Sequence, residues 1–445
     1  MSTIIRTLGK FVTALSYEDL PQNVVKKVKE LILHHLYTGY CGINEAESQI
    51  AISLAEKEFG TGGYSTILGK NQKSSVLGAT FANSVLMHSV QQEDTYKGLH
   101  PGPHVIPAVL SLAEQESRHG KDILTSITAG YEVNLQLGNI CAPYSGPRGW
   151  RGTTIYGIIG TAAASAKILK LNLEETMDAL ALATNLASGL MQCWLEGTSE
   201  WLFTSGLAAQ NGVMAALIAR KGSSGALKSF EGDRGFFRAY LDVNPEGLDE
   251  LTQNLGRNYD TTKVILKPYS VITTILPVIN NIVKLANQND LNFEEINSVR
   301  IVAGPRVTDG PLKTNIADKG PFVNKNQAYK SLPCAGAIAL KYRDVSPQTV
   351  NHYHDRRVGA IASKINLEAN EKMEGFANSI EIVMKNGSKY KIEGDEFPSL
   401  AIDSVKENLL RTGSQFIPKR KVKELVHSIM MLETKSIHDV SPNLS

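Results

Sequence analysis

The sequence predicts a mostly α-helical protein with a second, α+β domain: a large all-helical domain and a smaller α+β lid domain. Three observations predict this. Apolar residues recur at helical spacing through residues 1–261, alternating β-like segments appear in residues 262–397, and helical spacing returns in residues 398–445. At 445 residues, the chain is long enough for more than one core. We therefore predict that the C-terminal helices complete the helical domain.

The first region is predicted to be helical nearly throughout. An amphipathic N-terminal helix carries Leu8, Phe11, Val12 and Leu15 on one face. Further helices are predicted at Leu20–Tyr40, Ser74–His88, Val105–His119, Ile123–Ile140, Tyr156–Leu169, Leu173–Leu190 and Ser205–Lys221, with Ser404–Leu410 and Lys419–Leu432 near the C-terminus. Several are dense in Ala and Gly, which lets helix axes approach closely and predicts buried central helices.

The second region mixes both kinds of element. Thr262–Leu266 is predicted to be a strand and Ile272–Leu285 a helix. Two longer strands are predicted at Ile296–Ala303 and Ile380–Met384, and the Asn386-Gly387 pair predicts a hairpin turn into Lys389–Ile392.

Composition excludes several classes of partner. Hydrophobic residues make up 42% of the chain and charged residues 20%, with a net charge of +2, which favours neither nucleic acid nor an acidic membrane. No uninterrupted apolar run approaches the roughly 18 residues of a membrane span, and the N-terminus has no signal-peptide pattern. Four widely spaced cysteines predict reduced thiols and a cytoplasmic protein.

The segment from Met87 to Glu114 carries the strongest functional signal. Asp94, Thr95 and His100 lie in a loop rich in Gly and Pro that leads into an apolar helix. Such a loop delivers an acid, a hydroxyl and an imidazole to a helix N-terminus, where the helix dipole favours anions. We predict a small-molecule site here; the alternative is a polar surface loop with an incidental histidine.

Metal and nucleotide sites are alternatives that the sequence disfavours. His100 and His104 are four residues apart, but Pro101 and Pro103 break the helix that would put both on one face, so no metal is predicted. The glycines of GIIGTA do not follow a convincing strand, as a dinucleotide fold requires.

Several motifs in order along the chain resemble those of the MmgE/PrpD family. They are DTYKGLHPGPHVIPAVLSLAE, GWRGTTIYGIIGTAAASAKIL, GTSEWLFTSGLAAQNG, GFFRAY, a Lys-Pro-Tyr at the domain junction and AYKSLPCAGAIAL. The resemblance spans essentially the whole chain. It implies a helical domain completed by the C-terminus, an α+β lid, a cleft between them, no metal or organic cofactor, and a homodimer.

The resemblance also implies roles for individual residues. Thr95 and His100 match a Thr and a catalytic His of the family, Lys267 matches a Lys that contacts a substrate carboxylate, and Ser331 matches a Ser in the lid. Other positions depart from the family pattern. Gln91 stands where the family has an Asp, unless Asp94 takes that place. Arg151 and Ile272 stand in place of histidines, Trp201 in place of a Lys, and Cys334 in place of an aromatic residue.

These residues predict proton transfer beside a carboxylate. His100 is the predicted acid–base group because its unperturbed pKa is near neutrality, with Asp94 or Thr95 as its orienting partner. Arg148, Arg151 and Lys267 are predicted to hold carboxylates. Gln91, His104, Tyr156, Trp201 and Ser331 are predicted to contact substrate, and Trp201 to make the site more apolar.

The sequence therefore predicts a cofactor-independent lyase or isomerase that acts on a small carboxylate substrate, by dehydration, decarboxylation or epimerisation. The departures predict an activity other than standard 2-methylcitrate dehydratase or cis-aconitate decarboxylase. The alternative is a non-catalytic carboxylate-binding or regulatory paralogue on the same scaffold.

Overall fold

The N-terminal half of the chain is a layered array of helices. The computed structural model describes residues 3–445, and within them the chain up to residue 254 forms eleven α-helices. They are α1 (Ile4–Ala14), α2 (Gln22–Gly42), α3 (Ala46–Lys57), α4 (Val76–His88), α5 (Gly102–Glu116), α6 (Gly120–Ser145), α7 (Gly152–Ile168), α8 (Leu173–Leu186), α9 (Gln192–Glu196), α10 (Glu200–Arg220) and α11 (Leu248–Asn254). A short hairpin, β1 (Thr61–Thr66) with β2 (Lys73–Ser74), interrupts them and was not predicted.

Small residues bring the central helices together, as the Ala- and Gly-rich segments predict. Where α6 crosses α7, a Cβ on Gly130 would lie 2.8 Å from the carbonyl oxygen of Gly160. A Cβ on Gly160 would lie 2.7 Å from the carbonyl oxygen of Gly130. Any larger side chain would push these helices apart, so the close crossing depends on glycine at both positions.

The C-terminal helices α19 (Ile402–Gly413) and α20 (Lys419–Met430) pack against this array. Val405, Leu409, Val422 and Leu425 are fully buried in the same hydrophobic core as the N-terminal helices. A separate core lies in the intervening segment and draws on residues from Val271 to Met384. The fold class is therefore as predicted, and the boundaries at residues 261/262 and 397/398 stay predictions.

The second core is built around a four-stranded sheet with strand order β6-β5-β7-β8. The strands are β5 (Ile296–Ala303), β6 (Ile365–Ala369), β7 (Asn378–Met384) and β8 (Lys389–Gly394). The first two are parallel and the remaining pairs antiparallel. The Asn-Gly hairpin is confirmed: β7 turns into β8 there, and Gly387 has φ +86°.

Helices surround this sheet. They are α12 (Leu276–Gln288), α13 (Pro305–Thr308), α14 (Lys313–Ala317), α15 (Lys325–Ala328), α16 (Leu332–Tyr342), α17 (Pro347–Val350) and α18 (Arg356–Ala362). Of these, α12 packs on β7 and β8, and α16 packs on β6. Six of the seven lie between β5 and β6, because parallel strands need a long crossover connection.

Some predicted bounds differ from the structure. The predicted strand Thr262–Leu266 is a 3₁₀ turn at Asp260–Lys263 followed by the two-residue strand β4 (Ile265–Leu266). The predicted helix Leu173–Leu190 ends at Leu186, and the chain then forms the short helix α9, which sequence periodicity did not indicate.

One helix is more apolar than the search for uninterrupted runs indicated. By length and composition alone, the 21-residue α10 could cross a membrane. It packs against α4, α7 and α8, and 61% of its most apolar window is buried inside the fold. Its apolar character is therefore accounted for by its place at the centre of the helical domain.

Candidate active site

A two-residue sheet joins the two halves of the candidate site. Strand β3 (Asp94–Thr95) pairs antiparallel with β4, with Asp94 opposite Leu266 and Thr95 opposite Ile265. Continuing this register by one residue places Glu93 opposite Lys267. The loop before α5 and the junction before α12 are thereby fixed side by side.

Glu93 and Lys267 form a buried ion pair at this junction. Glu93 Oε1 lies 2.8 Å from Lys267 Nζ, and both side chains are fully buried. Burial, the largest single influence, raises the pKa of Glu93, but Lys267, His88 and His100 together outweigh it and hold that pKa well below the ordinary value. Glu93 is therefore ionised, and burial lowers the pKa of Lys267 despite the attraction of Glu93.

His100 lies beside this pair with one defined tautomer. Its Nδ1 is 2.6 Å from the backbone carbonyl oxygen of Asp94 and 3.3 Å from Glu93 Oε1. Because a carbonyl only accepts, Nδ1 carries the hydrogen and Nε2 holds the free lone pair of the neutral ring. Burial lowers the pKa of His100, against the pull of Glu93, so the ring is neutral at pH 7. The side chain is 13% exposed, unlike the fully buried Glu93.

Asp94 faces away from His100. Its Oδ2 accepts a hydrogen bond from the Tyr131 hydroxyl at 2.7 Å, and its Oδ1 accepts from the Gly102 amide at 3.2 Å. His35 Nε2 lies 3.3 Å from the same Oδ1. The carboxylate that contacts His100 is Glu93, and Asp94 reaches His100 only through its backbone carbonyl.

Thr95, predicted as the other orienting partner, is hydrogen-bonded to the hydroxyl of Thr273. Its Oγ1 is 3.0 Å from Thr273 Oγ1. Of the two predicted orienting partners, Asp94 contacts the imidazole through its backbone carbonyl oxygen, and the Thr95 hydroxyl bonds to Thr273. Adjacent β-strand residues point to opposite faces, which separates the Asp94 side chain from those of its neighbours Glu93 and Thr95.

A second chain of contacts runs from Glu93 to Arg151. Arg151 donates to His88 Nε2 at 2.7 Å, and His88 Nδ1 faces Glu93 Oε2 at 3.6 Å. Burial lowers the pKa of His88 to about 4, although Glu93 raises it. His88 is therefore a neutral link between a cation and an anion, with its lone pair engaged by Arg151.

Two tryptophans enclose the Arg151 guanidinium. It lies 5.3 Å from the ring centre of Trp201 and 5.5 Å from that of Trp194. Arg151 also donates to the Trp201 carbonyl oxygen at 2.8 Å. Trp201 packs edge-on against His88 with ring centres 4.9 Å apart, so the predicted apolar wall is adjacent to the histidine cluster.

Two other predicted site residues, His104 and Gln91, are buried close to this cluster. His104 accepts from the Ser205 hydroxyl at 2.8 Å, and its Nδ1 lies 3.1 Å from the carbonyl oxygen of His100. Both ring nitrogens are engaged, and burial lowers its pKa well below the ordinary value. Gln91 is 2% exposed and has a φ of +55° in the turn after α4.

Three predicted residues are not brought to the His100 cluster by any contact in the described structure. Arg148 is 41% exposed and pairs with Asp242 at 3.2 Å. The Tyr156 hydroxyl donates to Ser145 inside the helical core. Ser331 caps α16, where its Oγ accepts from the Cys334 amide at 3.0 Å.

Sequence reasoning missed Glu93, His88, Trp194 and Lys330. Glu93 stands next to Asp94, and only the register of β3 against β4 selects it. His88 is the last residue of α4, and helical spacing in the sequence indicates only that it ends this helix. Lys330, between the motif residues Tyr329 and Ser331, is buried and hydrogen-bonded to the Trp194 carbonyl oxygen.

Comparison with known proteins gives one family and several relatives. The family model for the MmgE/PrpD N-terminal domain matches residues 6–247. A cis-aconitate decarboxylase-like protein of Aspergillus oryzae is 28% identical over 285 residues, covering 60% of this chain and 58% of that protein. The cis-aconitate decarboxylase of Aspergillus terreus is 26% identical, covering 65% of this chain and 61% of the relative.

The human cis-aconitate decarboxylase is 27% identical over 267 residues, covering 56% of this chain and 53% of the human protein. The chain thus spans somewhat more than half the length of these relatives. The family model, in contrast, covers more than half of this chain and includes Glu93, His100 and Arg151. The chain belongs to the MmgE/PrpD family.

Proposed function

We propose that this protein is a lyase of the dehydratase or decarboxylase type that acts without a cofactor on a small polycarboxylate. His100 is the proposed proton carrier, and Glu93 and Lys267 are its charged neighbours. The observation that carries the proposal is the neutral His100 ring, held by Nδ1 at the domain junction beside a buried ion pair. Membership of the family and the names of the relatives support the class of reaction.

The proposed chemistry uses His100 Nε2. In a dehydration, Nε2 takes a proton from the carbon next to a carboxylate, a carbon–carbon double bond forms, and the hydroxyl group takes that proton from the imidazolium and leaves as water. In a decarboxylation, carbon dioxide leaves and its bonding electron pair stays on carbon, and His100 takes a proton from solvent at Nε2 and delivers it to that carbon. In both, negative charge develops beside a carboxylate, and the cation of Lys267 stabilises it.

Glu93 and Asp94 have separate proposed roles. The Glu93 carboxylate favours the imidazolium that forms when His100 takes a proton, and it keeps Lys267 charged despite burial. The Asp94 carbonyl oxygen fixes which nitrogen faces the substrate, while its carboxylate anchors the start of α5.

The direct test is proton NMR in D₂O with cis-aconitate, 2-methylcitrate, iminodisuccinate and related di- and tricarboxylates. A lyase produces a new alkene or loses carbon dioxide, and an isomerase incorporates deuterium next to a carboxylate. His100→Gln should abolish the change while ligand affinity falls far less than turnover. Solvent exchange without net reaction would favour the epimerase over the lyase.

A second candidate function is a carboxylate-binding protein without turnover. Glu93 favours it, because the ammonium of Lys267 already has a carboxylate of this chain as its partner at 2.8 Å. Under this hypothesis a polycarboxylate raises the melting temperature, yet no compound of the panel changes in D₂O, and His100→Gln leaves binding intact.

The domain division, a homodimeric assembly and a cytoplasmic location are parts of the same proposal. They derive from sequence pattern and family resemblance. Light scattering on the purified protein measures the assembly state, and limited proteolysis near residues 261 and 397 tests the division.

A further inference from the structure

Two buried cations beside the candidate site have no anionic partner. Arg151 is 3% exposed and Lys330 is 1% exposed. Arg151 donates to His88 and to the Trp201 carbonyl oxygen, and Lys330 donates to the Trp194 carbonyl oxygen. Among the residues that the structure describes, neither cation lies within ion-pair distance of a carboxylate. A buried charge without a counter-charge is costly, so this pair is unusual.

Both cations contact the same indole from different parts of the fold. The Arg151 guanidinium, just before α7, is 5.5 Å from the ring centre of Trp194. Lys330 Nζ, just before α16, is 5.8 Å from that ring centre. Trp194 itself lies on α9 and is half-buried. Its ring is therefore the point where the helical domain and the lid each supply a cation.

No neighbouring group in the described part of the chain neutralises these charges. The thiol of Cys193 is close to both, but burial raises its pKa, so it is uncharged at pH 7. Glu93 is separated from Arg151 by the ring of His88 and is already paired with Lys267. Burial lowers the pKa of Lys330 to about 8 and that of Arg151 to about 10, as expected for cations that are buried without a counter-charge.

The indole also has an unused hydrogen-bond donor. Trp194 Nε1 is buried and has no hydrogen-bond partner within the described chain. An indole N–H only donates, so its missing partner is an acceptor. A carboxylate oxygen is such an acceptor, and it also carries the charge that the two cations lack.

We propose that Arg151, Lys330 and Trp194 Nε1 bind a second carboxylate of the substrate, distal to the one beside Lys267 and His100. This rests on the proposed function and names the groups that would hold the distal carboxylate of its polycarboxylate substrate. Lys330 belongs to the lid and provides a cation near Trp201, the residue predicted to make the site more apolar. Because Lys330 and Arg151 come from different domains, the distal carboxylate also joins the lid to the helical domain.

The test is calorimetric titration of the intact protein with cis-aconitate, succinate and the monocarboxylate butyrate. Lys330→Gln should weaken cis-aconitate and succinate binding by about tenfold, as expected for loss of one charged hydrogen bond, and change butyrate binding less than twofold. Trp194→Phe, which keeps the ring and removes the donor, should weaken the same two ligands. Lys330→Arg should retain their affinity.

Lys364→Gln is the matched control, because Lys364 is a lid lysine that also donates to a backbone carbonyl oxygen, that of Ile296. The proposal is overturned if Lys330→Gln and Trp194→Phe melt like wild type and bind dicarboxylates with wild-type affinity. It is also overturned if the wild type binds none of the three acids. Lys330-dependent dicarboxylate binding without any reaction in D₂O would support this subsite and remove the lyase proposal.

Discussion

Glu93 Oε1 and Lys267 Nζ are 2.8 Å apart in a fully buried ion pair, although 174 positions separate the two residues in the chain. The pair is formed by the register of β3 against β4. It sets the charge state around His100, because Glu93 is the carboxylate nearest to His100 Nδ1.

Removing Glu93 should destabilise the protein more than any surface charge does. Glu93→Gln leaves the Lys267 charge buried without a counter-charge, and we expect a loss of about 3–5 kcal/mol in the free energy of unfolding. Chemical denaturation measures it. The double variant Glu93→Leu/Lys267→Met should recover most of the loss, because no charge is then buried.

The control is the exposed pair of Lys284 and Glu396, whose side chains are 42% and 68% exposed. Glu396→Gln should cost less than about 1 kcal/mol, because solvent already screens that pair. Equal losses in Glu93→Gln and Glu396→Gln would contradict the assignment of a buried pair.

The activity should persist to lower pH than an ordinary histidine allows. His100 acts as a base when neutral, and burial lowers its pKa from 6.5. As pH falls, kcat/KM of a dehydration, in which His100 is the base, should therefore begin to drop only below pH 6.5. Glu93→Gln should move this limb to still lower pH, because Glu93 raises the pKa of His100. A limb above pH 7 would rule out His100 as the titrating base.

Stability should fall in mild acid because of His88. Its pKa is lowered from 6.5 to about 4 on folding. Between these values the unfolded chain binds a proton that the folded chain does not, so the free energy of unfolding decreases as pH drops. From pH 7 to pH 5 this one group contributes roughly 2 kcal/mol.

His88→Gln tests this contribution. A Gln accepts from Arg151 and donates to Glu93 without titrating, so the stability difference between pH 7 and pH 5 should shrink by the His88 contribution. Parallel curves for His88→Gln and wild type would show that His88 does not titrate on unfolding.

Gly102 is expected to tolerate no side chain. A Cβ there would lie 2.1 Å from the His35 ring and 2.7 Å from the Tyr131 hydroxyl, two of the groups that surround Asp94. Gly102→Ala should therefore cost about 1–3 kcal/mol or more, measured by thermal or chemical unfolding. Gly146→Ala, where nothing lies within 4 Å, is the control and should change stability little. Similar melting temperatures for both variants would contradict the packing around Asp94.

More of the fold than of the candidate site could be predicted from the sequence. Helical spacing and the Asn-Gly turn are local signals, and they predicted the two-part architecture and strands such as Ile296–Ala303. His100 was singled out from its loop, and Lys267 from the family resemblance. Glu93 was not, because choosing between adjacent acids requires the register of a strand pair that links distant segments.

The same limit explains the other differences. Arg148 and Arg151 are three residues apart, yet one is exposed and the other is buried between two indoles. Periodicity says nothing about α9, whose five residues carry Trp194. Lys330 falls within a motif, but its burial depends on a contact with the other domain.

The two-residue pairing of β3 with β4 has a consequence for how the candidate site forms during folding and how it is lost. Its two residue pairs join distant parts of the chain, so we expect them to form late during folding and to open before either hydrophobic core does. Loss of this ladder would separate Glu93 from Lys267 while both hydrophobic cores remain intact. Amide hydrogen exchange at Thr95 and Ile265, which are paired in this ladder, would therefore report on the integrity of the candidate site separately from global unfolding.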